Sequence, residues 1–511
     1  MKTPKDNIFR LISAMTAAEK RYFKRHYSSD KNLLTELFDF INGMTSYREE
    51  AIKEHFSDSK LAKNLKVYKV QLSDLLLKSL ASYHSKKTVQ SKIRIGLEEA
   101  DILFKKELFD LAEAKLQRAK DLCLKTGANA QLLEVYCLES KYKKLLNPFC
   151  NRQSLLNELE EIAQLNNRYL VWQNQLEKLN QFKNSLFPLQ LSSHQREYCQ
   201  HLLANMPDSK AEGQSGFYTL FYHYRIKGTV HFYLDNTIEG QQQFESLLRL
   251  FEEFSSTKER HPGHYLASVY DYLYFLIEFR RYRRAGEIID YLQAYFEEHP
   301  ELSRSKLFLY LLMVNLCLRQ GNFEDFSEPH IQEVVNHIQH YQLQKHPDTI
   351  SIYLRLAVIS LMCNNPQRAH YFFRRIQLQK NQLPKSLSIA SDLMEMVSHY
   401  ETKDIFLIKN WLHTYRRKQP EQTDGNGQDF QAAFIDFLTE LTKTSKLQHA
   451  GLATQFLGQI DQYKNDPIYL VMSALMLEEW LSALKENTPL SDRVEKIKAR
   501  MYAETDFLYC W

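Results

Sequence analysis

Apolar residues return at intervals of three and four along most of the chain, the spacing that lines one face of an α-helix. Near the start, Ile8, Phe9, Leu11, Ile12 and Met15 share such a face. Thr16-Ala17-Ala18-Glu19 follows as a capping box, in which the Thr hydroxyl and the Glu carboxylate each satisfy a free amide at a new helix start. Further helices are expected over 32–41, 47–56 and 60–83. In the last of these Leu61, Leu65, Tyr68, Leu72, Leu75, Leu76 and Leu80 keep the spacing, while Lys60, Lys63, Lys66 and Lys69 share the opposite side.

From about residue 90 the pattern becomes one of helix pairs joined by short turns. A small residue on a first helix is matched by a small residue 12 positions later, then by a large apolar residue and another core residue. Ala100 and Ala112 with Leu116 and Ala119, Gly228 and Gly240 with Phe244 and Leu247, and Ala357 and Ala369 with Phe373 and Ile376 all follow this rule. The reason is steric: two helices joined by a tight turn approach closely only where neither carries a bulky side chain. Turn sequences at Leu108-Phe109-Asp110, Gly321-Asn322-Phe323-Glu324 and Asn364-Asn365-Pro366-Gln367 fall just before the second helices. Between residues 120 and 220, helices over 131–146, 155–165 and 169–186 carry no clear motif. Beyond the loop at 419–427, helices are expected over 430–441, 452–463, 468–484 and 491–502.

Composition sharpens this picture. The chain has 511 residues but only 14 glycines, under half the usual share of about 7%, and 13 prolines, about half the usual 5%. So few turn residues cannot close many hairpins or cradle many phosphates, which excludes an all-β fold and argues against a nucleotide-binding α/β fold. The expectation is all-α: an α-solenoid of antiparallel helix pairs, with an N-terminal helical domain over 1–90, a repeat array over 91–418 and C-terminal capping helices over 430–511.

The repeat positions carry a family resemblance. Tyr353, Leu356, Ala357, Ala369 and Phe373, and again Tyr224, Gly228, Gly240 and Phe244, resemble the tetratricopeptide-repeat motif. Ala285, Ile289 and Leu292 match its second helix alone, with Leu273 where a small residue is expected, and Tyr310, Phe326 and Pro329 match less well. Second-helix anchors at 240, 285, 326 and 369 stand 45, 41 and 43 residues apart, longer than the roughly 34 of that family. The segment Glu19-Lys20-Arg21-Tyr22-Phe23-Lys24 also looks like the opening of uncharacterised bacterial helical-repeat proteins. The resemblance implies a TPR-like superhelix whose first helices line the concave surface. Carried over position by position, it places Tyr222, Arg225, Thr229, Tyr270, Tyr274, Leu354 and Val358 there, as residues for a protein or peptide partner.

Motifs for chemistry are missing. The chain contains no Gly-Lys-Ser or Gly-Lys-Thr, no GxGxxG, no GxSxG and no HExxH. His261 and His264, His337 and His340, and His194, Cys199 and His201 cluster without the ligand pattern of a zinc site. Asp424, Asn426 and Gln428 begin like a calcium loop, but Asp429 and Ile435 stand where Gly and Glu are required. No metal, no cofactor and no enzymatic activity are expected. Seven cysteines without a CxxC read as reduced, buried thiols. The longest apolar run, 307–318, is too short to span a membrane, and the N-terminus lacks a signal peptide's apolar core, so a cytoplasmic protein is expected.

Charge adds one alternative. The net charge is +4, but residues 1–90 hold 17 Lys or Arg against 10 Asp or Glu, a local +7 that leaves −3 for the rest. Residues 47–56, the Ser57-Asp58-Ser59 turn and the following basic helix suit a helix-turn-helix in which Lys60, Lys63, Lys66 and Lys69 meet DNA. These lysines are point charges without an Arg or Asn cluster that reads bases. The principal expectation is therefore a non-enzymatic scaffold that binds a protein or peptide. A regulator with a DNA-binding N-terminus and a ligand- or peptide-sensing repeat domain is the second.

Overall fold

The helical spacing is realised along the chain. The computed structural model describes residues 6–27, 33–85, 89–126, 128–146, 153–182, 191–206, 217–323, 328–418 and 430–498. Among them every regular element is an α-helix or a short 3-10 helix, and there is no strand. The loop at 419–427, Phe326, the calcium-like start at 424–428, Cys150, Cys510 and the apolar tail at 507–511 lie outside the described residues. The chain divides into two compact units, Met1–Val171 and Trp172–Trp511.

The first unit opens with helices Asn7–Ala14, Ala17–Tyr27, Leu33–Asn42, Glu49–His55, Lys60–Lys63 and Leu65–Ser85. Their apolar faces meet in a core of Ile8, Ile12, Phe23, Phe38, Ile41, Ile52, Leu61, Leu72 and Leu76. The capping box forms as the sequence implied: Thr16 N–H donates to Glu19 Oε2 at 2.7 Å and Glu19 N–H to Thr16 Oγ1 at 3.3 Å. The helix expected over 60–83 is instead broken at Asn64, which leaves helical geometry at φ −119° and ends the short helix that Ser59 caps. Helices Val89–Lys105 and Phe109–Thr126, with Ala100 and Ala112 fully buried where they pack together, belong to this unit as well. Two helices expected over 155–165 and 169–186 form one continuous 30-residue helix, Gln153–Phe182, because no Gly or Pro interrupts the run.

In the second unit helices follow one another across short turns. Phe217–Tyr233 packs on Thr237–Glu253, that on Pro262–Glu278, and Pro262–Glu278 on both Tyr282–Glu298 and Lys306–Gln320. Lys306–Gln320 packs on Pro347–Met362, which packs on Pro366–Gln377; Lys385–Glu401 and Ile405–Lys418 continue the series. Helices Phe430–Lys443, Lys446–Gln459, Pro467–Ala474 and Leu477–Glu486 close the described part, and the helix expected over 468–484 is divided where Met476 turns left-handed at φ 64°.

One turn geometry serves seven junctions among the described residues, two of them at Gln342 (φ 53°) and Asn487 (φ 52°), where Leu343 N–H bonds to the Ile338 carbonyl at 2.9 Å and Thr488 N–H to the Ala483 carbonyl at 3.1 Å. Glu107, Asp235, Arg280, Asn364 and Lys403 all have φ between 56° and 63°. After each, the next residue's N–H bonds back to the fifth carbonyl before it: Leu108 to Leu103 at 3.0 Å, Asn236 to His231 at 2.9 Å, Arg281 to Leu276 at 2.8 Å, Asn365 to Ser360 at 2.8 Å and Asp404 to His399 at 2.9 Å. This is the Schellman closure, in which the left-handed position usually falls to glycine. Here side-chain-bearing residues hold it, so a glycine-poor chain still makes tight turns.

The glycines present serve packing between helices. A side-chain carbon on Gly228 would lie 3.1 Å from the Phe244 ring, and one on Gly240 would lie 2.7 Å from Phe275 Cε2. The two glycines were expected to face each other. Each instead admits an aromatic ring: Phe244 from the partner helix at Gly228, and Phe275 from the following helix at Gly240. Of the five cysteines described, Cys123, Cys199 and Cys317 are buried as expected, whereas Cys137 and Cys363 are exposed.

Candidate interaction site

From Tyr265 onward helix Pro262–Glu278 carries only two charged residues, Asp271 and Glu278. With Tyr274 they stand at i, i+3 and i+7, so all three share one face. The Arg225 guanidinium, from helix Phe217–Tyr233, donates to Asp271 Oδ2 through Nε at 2.8 Å and lies 2.7 Å away through Nη2. These side chains are 14% and 13% exposed. On the other side Arg319 Nη2, from helix Lys306–Gln320, donates to Glu278 Oε2 at 2.9 Å. Ion pairs thus tie the acidic face of Pro262–Glu278 to a guanidinium on the earlier helix Phe217–Tyr233 and to one on the later helix Lys306–Gln320.

Deeper along the same row lies Arg355, the one charged residue between Thr349 and Met362. It is 6% exposed and donates through Nη1 to the Ser351 hydroxyl and, at 3.4 Å, to the Ser351 carbonyl. Burial pushes its guanidinium down to about 10, with Tyr274, Glu278 and Asp348 pulling the other way, so it stays cationic at neutral pH. Burial also lifts the Tyr274 hydroxyl above its ordinary range, and the neighbouring Glu278 carboxylate adds to the lift. Tyr274 is therefore a neutral hydrogen-bonding group within a row of charges.

Of the seven residues assigned from the sequence, Arg225 and Tyr274 fall in this row. The other five serve packing. Tyr222 is buried edge-on to Phe221 with ring centres 5.1 Å apart, and the Thr229 hydroxyl donates to the Arg225 carbonyl at 2.8 Å. Tyr270 donates to the Ser305 carbonyl at 2.9 Å and packs on Phe308. Leu354 and Val358 are each 1% exposed, because Pro347–Met362 is covered on every side from Thr349 to Met362. Sequence reasoning missed Asp271, Glu278, Arg319 and Arg355. The available signal was a charge interrupting an otherwise apolar stretch.

Two arginine-rich stretches, 280–284 and 374–375, hold charges engaged by their own neighbours. Arg284 pairs with Glu287 at 2.6 Å and Arg375 lies 4.6 Å over the Tyr371 ring. In the first unit Lys69 leaves the lysine row: it pairs with Glu49 at 3.0 Å, donates to the Tyr47 hydroxyl at 2.9 Å and is 18% exposed. The Lys69 hydrogen bond is the main reason that the Glu49 carboxyl sits at about 2. Lys60, Lys63 and Lys66 remain exposed.

His261 and His264 stand beside Tyr218, with the two imidazoles 5.9 Å apart. Burial, reinforced by the positive charges of His261 and Arg225, holds His264 down to about 4; burial and Lys306 hold His337 down to about 4 as well. Both are neutral in the folded protein down to that pH. Once unfolded they titrate near the ordinary imidazole value of about 6.5, so from about 6.5 down to about 4 the unfolded chain takes up protons that the folded chain refuses. Stability should therefore fall as pH drops through this window and stop falling on their account below it. Melting temperature followed from pH 7 to 4 in the wild type and in His264→Gln checks this: the variant should show the shallower decline.

Among the described residues no group of three or more His, Cys, Asp or Glu is arranged to hold a metal, and no single helix is long and apolar enough to cross a membrane. No family model, curated protein or solved structure matches the chain.

Proposed function

We propose that Trp172–Trp511 is a non-enzymatic scaffold, a stack of antiparallel helix pairs similar to the tetratricopeptide repeats, which binds a protein or peptide segment along its first helices. The row Arg225–Asp271–Tyr274–Glu278–Arg319 is the observation that supports this reading. Charges that only needed solvation belong on outer faces; here they pair between neighbouring helices and are only partly exposed. Tyr and Arg are also the residues that most often anchor interfaces. The recurrence of one turn closure at residues 235, 280, 342, 364, 403 and 487 supports the repeat interpretation.

The test is site-specific photo-crosslinking in the native host. A photoreactive phenylalanine at position 274 should form a discrete adduct with a partner. The same group at position 378, where Leu378 is 86% exposed and remote from the row in its helix series, should not. Equal labelling from both positions would remove the assignment.

A further inference from the structure

Helix Leu65–Ser85 buries Leu65, Leu72, Leu76 and Ser79 on one side. Its other side carries a second apolar stripe that stays about half exposed among the described residues. Val67, Val70 and Leu77 are 53%, 56% and 53% exposed, and Asp74 and Ala81 are exposed between and beyond them. The positions 67, 70, 74, 77 and 81 alternate steps of three and four. That is the seam of a coiled coil, which an isolated surface helix has no reason to keep. A polar residue at one inner position of such a seam, here Asp74, fixes register against a partner. Lysines flank it: Lys66 and Lys78 stand beside the seam, with Lys60 and Lys63 on the short helix just before it. All four are exposed and none is ion-paired among the described residues.

We infer that this face is a docking site for a partner protein's amphipathic helix, acidic along its flanks and carrying one basic residue opposite Asp74. Charge complementarity selects that occupant. A second copy of the chain would bring lysine flanks against lysine flanks. A nucleic acid gives no return for exposed Val67, Val70 and Leu77, and a lipid surface would have to bury Asp74 in its centre. The site lies in the first unit and stands independently of the charged row in the second.

The experiment uses the full chain and two labelled peptides with Val and Leu at the seam positions and one Lys aligned with Asp74. One peptide has Glu at the flanking positions and the other has Lys. Fluorescence anisotropy should show the acidic peptide binding at least about tenfold more tightly than its basic twin, with the gap closing at high salt. Lys66→Glu/Lys78→Glu should invert that order. Leu77→Lys, at an exposed position, should weaken the acidic peptide by about tenfold or more with an unchanged melting curve. Equal or absent binding of the two peptides, or a charge reversal that fails to invert them, overturns the inference. So does sedimentation showing a dimer that Leu77→Lys dissociates, which assigns the face to a second copy. Flotation with phosphatidylcholine/phosphatidylserine vesicles that the same variant abolishes assigns it to a membrane and overturns the inference equally.

Discussion

Arg225→Ala should destabilise the second unit by about 3 kcal/mol, because it removes the guanidinium from a carboxylate that is itself largely buried. Asp271 then keeps its charge in a site of low polarity without the two nitrogens that face it at 2.7 and 2.8 Å. The replacement of both partners by apolar residues of similar size, Arg225→Met with Asp271→Leu, should recover most of the loss, since the desolvation cost of the pair disappears with it. Arg283→Ala is the control. That side chain is 84% exposed and 3.8 Å from Glu287, so its removal should change stability by less than about 0.5 kcal/mol. All four tryptophans lie between Trp172 and Trp511, so urea denaturation followed by tryptophan fluorescence reads this unit alone. A loss for Arg225→Ala no larger than for Arg283→Ala would show that the row does not hold the helices together.

The second large effect is a contrast of sign for one substitution at two positions. Alanine in place of a mid-helix glycine normally stabilises by about 0.5–1 kcal/mol. At Gly286, where nothing lies within 4 Å of the added carbon, it should do so. At Gly240 the added carbon would stand 2.7 Å from Phe275 Cε2. The Phe275 ring cannot yield easily: it is 1% exposed and packed among Phe232, Phe244, Tyr272 and Phe279. Overpacking of this kind typically costs about 1–3 kcal/mol. Gly240→Ala should therefore be net destabilising by up to about 2 kcal/mol, read by the same denaturation. A stabilised Gly240→Ala would mean that Phe275 is not held where this packing puts it.

The scarcity of glycine was legible, and so was its consequence at Gly228 and Gly240, where a missing side chain is used. Which ring fills each gap was not legible, because Phe275 comes from a helix that the local spacing does not connect to Gly240. The helix starts at Ala17 and at the turns after Glu107 and Asn364 could be read from capping and turn chemistry, which act within a few residues. The break at Asn64 could not, since it turns on a small local difference that packing resolves. The fusion of 153–182 into one helix was legible in the absence of Gly and Pro from that run, although the apolar spacing divides it in two.

Burial was the larger gap. Leu354 and Val358 fit the inward positions of a repeat as well as Arg225 and Tyr274 do. Spacing gives only the direction in which a side chain points and cannot say what covers it. The sequence by itself determined the all-helical character, the packing of neighbouring helices across short turns, and the presence of isolated charges in apolar stretches, since each depends on residues close together along the chain. Tertiary structure alone decided that Arg225 meets Asp271, that Arg319 meets Glu278, and that Lys69 turns inward to Glu49. Pairings between separate helices depend on how the cores pack, and a favourable contact between distant charges leaves no periodic trace in the order of residues.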